Sequence, residues 1–321
     1  MKTIKNNIFT LLIKNHTVLK TNRLVISIIT FAITISGLAI VAKFKQELLL
    51  KKNIIKKINF DIIGKNKFDR DTVLTISEIK VEIRTPKIVK YNLLLLPGWN
   101  FNRKLWCDST SLCKIAMEKG YRLIMPEMGK SIYASNYFPE TRKEWKKYPT
   151  LIWVTDTLIP YLQLKGNIFN SKNNFIIGNS TGGRGAILIA IKTGSLFIGG
   201  ASLSGDFDQT KMIKDNLMKG VYGEYFKFKS RWEAIDNPME QRNHLKTSFY
   251  FAHGTKDKVV PYAQTKMFYD SLIKLKPHLS FILKSPAMGH NFKFWNSQLD
   301  SIFIFFQNIQ NQSIVQKLHV Q

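Results

Sequence analysis

The chain has 321 residues, 45% hydrophobic and 22% charged, with 18 glycines and 10 prolines. That composition excludes a wholly disordered chain, a collagen and a disulfide-dense scaffold, and fits one large globular domain or two small ones. Forty-eight Lys and Arg against 22 Asp and Glu give a formal charge of +26, a field that attracts anionic surfaces without selecting one.

The basic residues concentrate only at the front, where residues 1–70 hold fourteen of them against Glu47, Asp61 and Asp69. Elsewhere they are diffuse, and no zinc-finger spacing, basic zipper or RNA-binding aromatic signature accompanies them, so no nucleic-acid partner is expected. Behind a basic segment, 1–23, lies the uncharged run LVISIITFAITISGLAIVA at 24–42, closed by Arg23 and Lys43. As a helix it is long enough to cross a bilayer's hydrocarbon core. The 23 residues ahead of it are long for the charged n-region of a signal peptide and no A-x-A site comes after it, so a retained single-pass membrane anchor is expected. The lysines that crowd residues 43–57 would hold the large C-terminal domain in the cytoplasm by positive-inside counting, whereas functional analogy places it outside. A basic linker, 43–70, comes next. Cys107 and Cys113 have no His partners at ligand spacing, so reduced buried thiols are expected in place of zinc; a disulfide between them needs a break in the backbone helix.

From residue 71 the chain alternates β-rich runs with helical patterns, which marks a mostly parallel sheet with crossover helices. A hairpin is expected over 72–77 and 79–84, then strands at 91–96, 121–125, 175–177, 199–202, 248–252 and 279–283. Several are apolar throughout, as strands covered on both faces are. Helices are expected near 105–119, 150–164, 183–194, 264–275 and 292–309. In the last, Trp295, Leu299, Ile302, Phe306 and Ile309 form one stripe that lies on the sheet. The domain is expected to span 71–310, with a small cap at 209–246 carrying Tyr222, Tyr225, Phe226 and Trp232, and a tail at 311–321.

Gly178-Asn179-Ser180-Thr181-Gly182 joins a strand to a helix and reads G-x-S-x-G. A serine on so tight a turn is lifted clear of the sheet, and side chains two residues to either side would collide with the turn, hence the glycines. A serine hydroxyl needs a histidine base oriented by a carboxylate, and in this architecture they come in the order Ser, acid, His. Asp257, in the loop after strand 248–252, and His290, in the loop after the final strand, supply that order. Asp206 and Asp208, after the preceding strand, are the rival carboxylates. His253 reads as a satisfied structural histidine, and His16, His244, His278 and His319 lie away from the strand ends that matter. The amides of Thr181 and of Trp99, in the loop Leu96-Pro97-Gly98-Trp99-Asn100, are the expected oxyanion donors.

These residues resemble the α/β-hydrolase superfamily and, within it, the esterase D group of S-formylglutathione hydrolases and feruloyl and acetyl-xylan esterases. That group's elbow reads G-H-S-M-G-G-x-G-A, matched here by Gly178-Asn179-Ser180-Thr181-Gly182-Gly183-Arg184-Gly185-Ala186, and its terminal His before a Trp-bearing helix resembles His290 to Trp295. Asn179 stands in place of the elbow histidine, and Pro97 in place of the histidine common before the oxyanion glycine. The resemblance covers roughly residues 90–310. It implies a carboxylester or thioester hydrolase acting on a small molecule with no metal or cofactor. The alternatives are a dienelactone-hydrolase- or peptidase-like enzyme, which shares the G-x-x-D-x-x-V-P wording around Asp257, and a membrane-tethered, non-catalytic binding protein on the same fold. A propeller-gated peptidase is not expected, since too little chain precedes the hydrolase part.

Overall fold

The computed structural model describes residues 68–318, with side chains to residue 312. The expected membrane span at 24–42 lies outside the described residues; among the described residues no helix is long and apolar enough to cross a membrane. Contacts divide the chain into units 1–65 and 66–321, and every element named here belongs to the second.

Eight strands form one sheet: β1 (Thr72–Ile76), β2 (Ile79–Arg84), β3 (Tyr91–Leu96), β4 (Tyr121–Pro126), β5 (Asn174–Asn179), β6 (Gly199–Leu203), β7 (Ser248–Ala252) and β8 (Phe281–Lys284). Their spatial order is β1-β2-β4-β3-β5-β6-β7-β8. The β1–β2 and β2–β4 pairs are antiparallel and all others parallel. The hairpin closes through Ser77 and Glu78, both at positive φ (46° and 68°), as a two-residue turn requires if it is to match the strands' twist.

Strand chemistry sets the layers. In β3 the leucines alternate faces: Leu93 and Leu95 join one core cluster, Leu94 and Leu96 the other. Period-two side-chain direction makes a run of four leucines serve both faces of a covered sheet. One layer is built by α3 (Ile159–Gly166), α4 (Thr181–Thr193) and α8 (Tyr262–Leu275). The other is built by α1 (Leu105–Ser109), α2 (Leu112–Glu118), α9 (Phe292–Ser297) and α10 (Leu299–Leu318). The expected stripe Trp295, Leu299, Ile302, Phe306 and Ile309 lies entirely in this second core.

Three expected helices differ in detail. The 150–164 helix carries a π-helical stretch, Trp153–Leu158, before α3; Pro160, which has no N–H to donate and whose ring crowds the preceding turn, sits just beyond it. The 292–309 helix is divided at Gln298 and runs on to Leu318. The 105–119 helix is broken at Thr110–Ser111, with the Thr110 side chain bonded to the Trp106 carbonyl at 2.5 Å.

That break corrects the expectation of free thiols. It brings the Cα atoms of Cys107 and Cys113 to 5.1 Å, and the two cysteines form a disulfide. An unbroken helix would have set them on different faces. Thiol titration of denatured, unreduced protein should therefore find no free cysteine. Closing so short a loop stabilises by about 2 kcal/mol on chain entropy alone, so Cys113→Ser should lower the thermal midpoint by several degrees. Two titratable thiols in the native protein would contradict the pairing.

Between β6 and β7 the chain makes an excursion through α5 (Asn216–Tyr222), α6 (Lys229–Trp232) and α7 (Pro238–Gln241). It does not pack alone. Met218, Val221, Tyr222 and Trp232 share a buried cluster with Ile132, Ala134 and Trp145, which belong to the long connection after β4. Two segments far apart in sequence thus build the roof. Of its aromatics, Tyr222 and Trp232 are consumed in the roof's own core, whereas Phe226 is exposed.

Candidate active site

Ser180 sits between β5 and α4 with φ 53° and ψ −127°, a conformation a non-glycine residue holds at about 1–3 kcal/mol of strain. Sterics show why both glycines are required. A Cβ on Gly178 would lie 2.0 Å from the Gly182 carbonyl oxygen, and one on Gly182 would lie 2.4 Å from the Leu96 oxygen. The turn is held by the Ser180 amide, which donates to the Leu203 carbonyl at 2.8 Å. Ser180 itself is 9% exposed.

The loop after β3 runs directly beside this turn: a Cβ at Gly98 would be 3.1 Å from the Ser180 Cβ. Four bonds pin the loop. The Gly98 amide donates to Asn179 Oδ1 at 3.2 Å, and the Tyr133 hydroxyl donates to the Pro97 carbonyl at 2.8 Å. Trp106 Nε1 donates to the Leu96 carbonyl at 3.2 Å, and the Asn100 amide donates to the Gly129 carbonyl at 2.8 Å. Asn179, which replaces the histidine of the resembled motif, therefore orients the loop that carries Trp99. The Trp99 indole packs edge-on against Trp145 of the roof at 4.6 Å. Thr181 opens α4, so its amide is one of the four that a helix leaves without an internal acceptor.

On the neighbouring strand ends, His290 Nδ1 lies 2.6 Å from Asp257 Oδ2. The two loops are laced together: the Thr255 amide donates to the Pro286 carbonyl and the Lys256 amide to the Met288 carbonyl. Gly254 permits the approach, since a Cβ there would fall 2.1 Å from the Met288 oxygen. His290 rests edge-on against Trp295 at 5.2 Å, and Trp295 Nε1 donates to Ser204 Oγ at 3.1 Å. Ser204 is next to Leu203, the acceptor of the Ser180 amide, so the same strand end anchors both the elbow and the histidine's support.

Asp257 Oδ1 accepts from the amides of Val259 and Val260, at 2.8 and 2.9 Å. Burial alone would raise its pKa, but N–H groups from His253, His290 and Val260 outweigh it and hold the carboxyl far below the ordinary 3.8. The unfolded chain then binds more protons in that range, so this group's stabilisation is complete above pH 3.8 and is lost as pH falls toward the folded value. The stability difference between wild type and Asp257→Asn, from chemical denaturation, should be constant at neutral pH and shrink below about pH 4.

The rival carboxylates are engaged elsewhere. Asp208 Oδ1 accepts from the Thr210 amide and from Asn237, and Asp206 pairs with Arg184 at 2.9 Å. Arg184 is the feature sequence reasoning missed. It is fully buried one turn into the elbow helix, where Nη2 donates to Gln209 Oε1 at 2.6 Å, to the Tyr222 hydroxyl at 3.2 Å and to the Asp236 carbonyl. Asp236 in turn accepts from the Ser135 amide at 3.0 Å. Burial pushes the Asp206 and Asp236 carboxyls up, with Arg184 opposing it. One cation thereby ties the elbow to both roof segments. The available signal was a charged residue inside GGRGAILIA, a segment otherwise free of charge. Among the described residues, no group of three or more His, Cys, Asp or Glu is placed to hold a metal.

A twisted, mostly parallel sheet with a strained serine elbow at its centre and loops converging at the strands' C-terminal ends defines an α/β-hydrolase. Residues 115–312 match the prolyl oligopeptidase family, and the chain belongs to that family. Similar solved structures include a fluorophosphonate-binding serine hydrolase of Staphylococcus aureus, with 17% identity over 74% of this chain and 98% of that one and a TM-score of 0.59. An S-formylglutathione hydrolase of Agrobacterium tumefaciens has 14% identity over 77% and 98%, with a TM-score of 0.57. Dipeptidyl peptidase 4 of Porphyromonas gingivalis has 12% identity over 73% of this chain but 35% of its own, with a TM-score of 0.53. No curated protein matches the chain.

Proposed function

We propose that the protein is a serine hydrolase that cleaves a small carboxylic ester or thioester. Ser180 attacks the carbonyl while His290 takes its proton, and Asp257 holds the imidazole and stabilises its charged form. The amides of Thr181 and Trp99 stabilise the oxyanion. Its collapse breaks the ester or thioester bond, and the alcohol or thiol leaves with the proton from His290. The acyl group stays on Ser180 until water, giving its proton to His290, releases it as the acid and His290 returns that proton to Ser180. The observation that carries this reading is the 2.6 Å contact between His290 Nδ1 and Asp257, on loops from the strands that come after the strained serine turn.

A peptidase reading is supported by the family match, and the two differ in leaving group. The deciding experiment is labelling with a fluorophosphonate probe, then comparison of p-nitrophenyl esters with peptidyl p-nitroanilides. Wild type should label and Ser180→Ala should not, and esters should be turned over faster. Equal labelling of both proteins would remove Ser180 as nucleophile, and preference for the anilides would favour the peptidase.

The proposal also places the hydrolase on a membrane through residues 24–42, facing an oxidising compartment. The Cys107–Cys113 disulfide supports that side, because such bonds persist where thiols are not kept reduced.

A further inference from the structure

The loop that carries Asp257 turns one valine inward and the next one outward. Val260 is buried, whereas Val259 is 63% exposed. Val259 and Pro261 line a shallow groove of about 410 Å³ together with Lys211, Met212, Ile213 and Lys214 from the roof segment before α5. Met212 and Ile213 are half-buried and Pro261 is exposed, so the groove has an apolar floor. Lys211 and Lys214 are exposed on its roof side, and Lys256 and Lys258 are exposed in the Asp257 loop itself. Among the described residues none of these four ammonium groups has a carboxylate partner. The groove's one acid, Asp215, is occupied in capping α5: its Oδ1 accepts from the Leu217 and Met218 amides at 2.8 and 2.9 Å.

We infer that this face docks on an anionic lipid surface, and that the ester cleaved at Ser180 is drawn from that surface; the second half rests on the hydrolase reading. A pocket for a small molecule encloses most of its ligand, and this depression is too shallow to do so. Its cations are spread over two segments and do not converge on one point. A dissolved anion would neutralise the lysines but leave Val259, Pro261, Met212 and Ile213 in water. A membrane surface meets both demands, with the lysines at the headgroup phosphates and the apolar residues at the acyl boundary. The position suits delivery of substrate. The Lys256 amide donates to the Met288 carbonyl in the His290 loop, so a bilayer that touches this groove lies beside the loops that hold His290 and Asp257.

The test puts one polarity-sensitive fluorophore on this face of the full chain. Val259→Cys is labelled at its thiol and reconstituted with vesicles of phosphatidylcholine alone or mixed equally with phosphatidylglycerol. Emission should move to shorter wavelength on the anionic vesicles and not on phosphatidylcholine. Salt at about 1 M, where the screening length is about 3 Å, should reverse the move. The ratio of docked to undocked chains should fall about fivefold for each lysine lost, and so about 25-fold when Lys211→Gln and Lys214→Gln are combined. The combined variant should lose turnover of a long-chain ester dissolved in the anionic bilayer by a larger factor than turnover of a water-soluble ester. Ile88→Cys is the control: Ile88 is 71% exposed and precedes β3, at the end of the parallel strands opposite the Asp257 loop. Its label should stay in water. An unmoved label at 259, equal movement on phosphatidylcholine, or equal movement at 88 would overturn the inference. So would the same movement with inorganic phosphate or polyglutamate in place of vesicles, which would assign the face to a dissolved anion or an acidic protein. Fluorophosphonate labelling of Ser180 in the same samples separates the two readings. Labelling without docking overturns this inference alone, and docking without labelling upholds the surface while removing the ester drawn from it.

Discussion

Ser180→Ala is expected to lower kcat for an ester by roughly 10⁵–10⁶-fold, the scale of removing a nucleophile that acts as a unit with its base. KM should change little, because the hydroxyl contributes to bond making and not to holding the substrate. Residual turnover above the uncatalysed rate is expected from the Thr181 and Trp99 amides, which do not depend on the side chain. Folding should be untouched, since the elbow is held by the Ser180 amide on Leu203 and by two close-packed glycines. Ser180→Gly gives an internal control. It removes the same hydroxyl and also relieves the positive φ of 53°, so it should be equally inactive yet more stable than the alanine variant by about 1 kcal/mol. Steady-state rates together with thermal unfolding of the three proteins test both halves. An alanine variant with more than a tenth of wild-type turnover would remove Ser180 from the mechanism.

The largest effect on stability is expected from Arg184→Met. Removing the one cation leaves Asp206 and Asp236 buried beneath the roof without a charge partner, and breaking such a pair costs about 3–5 kcal/mol. For a domain of this size that corresponds to a fall in thermal midpoint of about 10 °C. The pH dependence has a definite sign. Burial already raises both carboxyls in the wild type, and loss of Arg184, which opposes it, raises them further. The folded variant therefore binds more protons than the unfolded chain above pH 3.8, so its deficit is greatest near neutrality and shrinks on acidification toward pH 5. Adding Asp206→Leu to Arg184→Met should recover part of the loss. A deficit independent of pH would mean that lost packing, not uncompensated charge, explains the change. Since the cluster joins the elbow helix to both roof segments, the single variant should also raise KM more than it lowers kcat.

The same cluster shows where sequence reasoning reached its limit. The strands of the parallel sheet were legible because each is a short run whose side chains alternate between two apolar layers, a pattern carried by adjacent residues; β3, with Leu93 and Leu95 on one face and Leu94 and Leu96 on the other, is the plainest case. The elbow was legible because steric exclusion at Gly178 and Gly182 leaves a signature within five residues. Pro160 and the Thr110–Ser111 break modulated two helices in ways that periodicity overlooks. The disulfide, set aside in favour of free thiols, depended on that break.

By itself, then, the sequence determined the α/β alternation, the serine turn, and the chain order of serine, acid and histidine, all of which arise from backbone sterics and side-chain period over a few residues. Tertiary structure decided which carboxylate meets which histidine or arginine. Asp206, Asp208 and Asp257 are equivalent as letters, but the register of β6, β7 and β8 turns Asp206 to Arg184 and Asp257 to His290 and His253. It also recruited residues 127–150 as the second half of the roof, and gave a buried arginine its partners 22 to 52 residues away. Charge pairing acts through space at a few ångströms, and only the assembled sheet sets those distances.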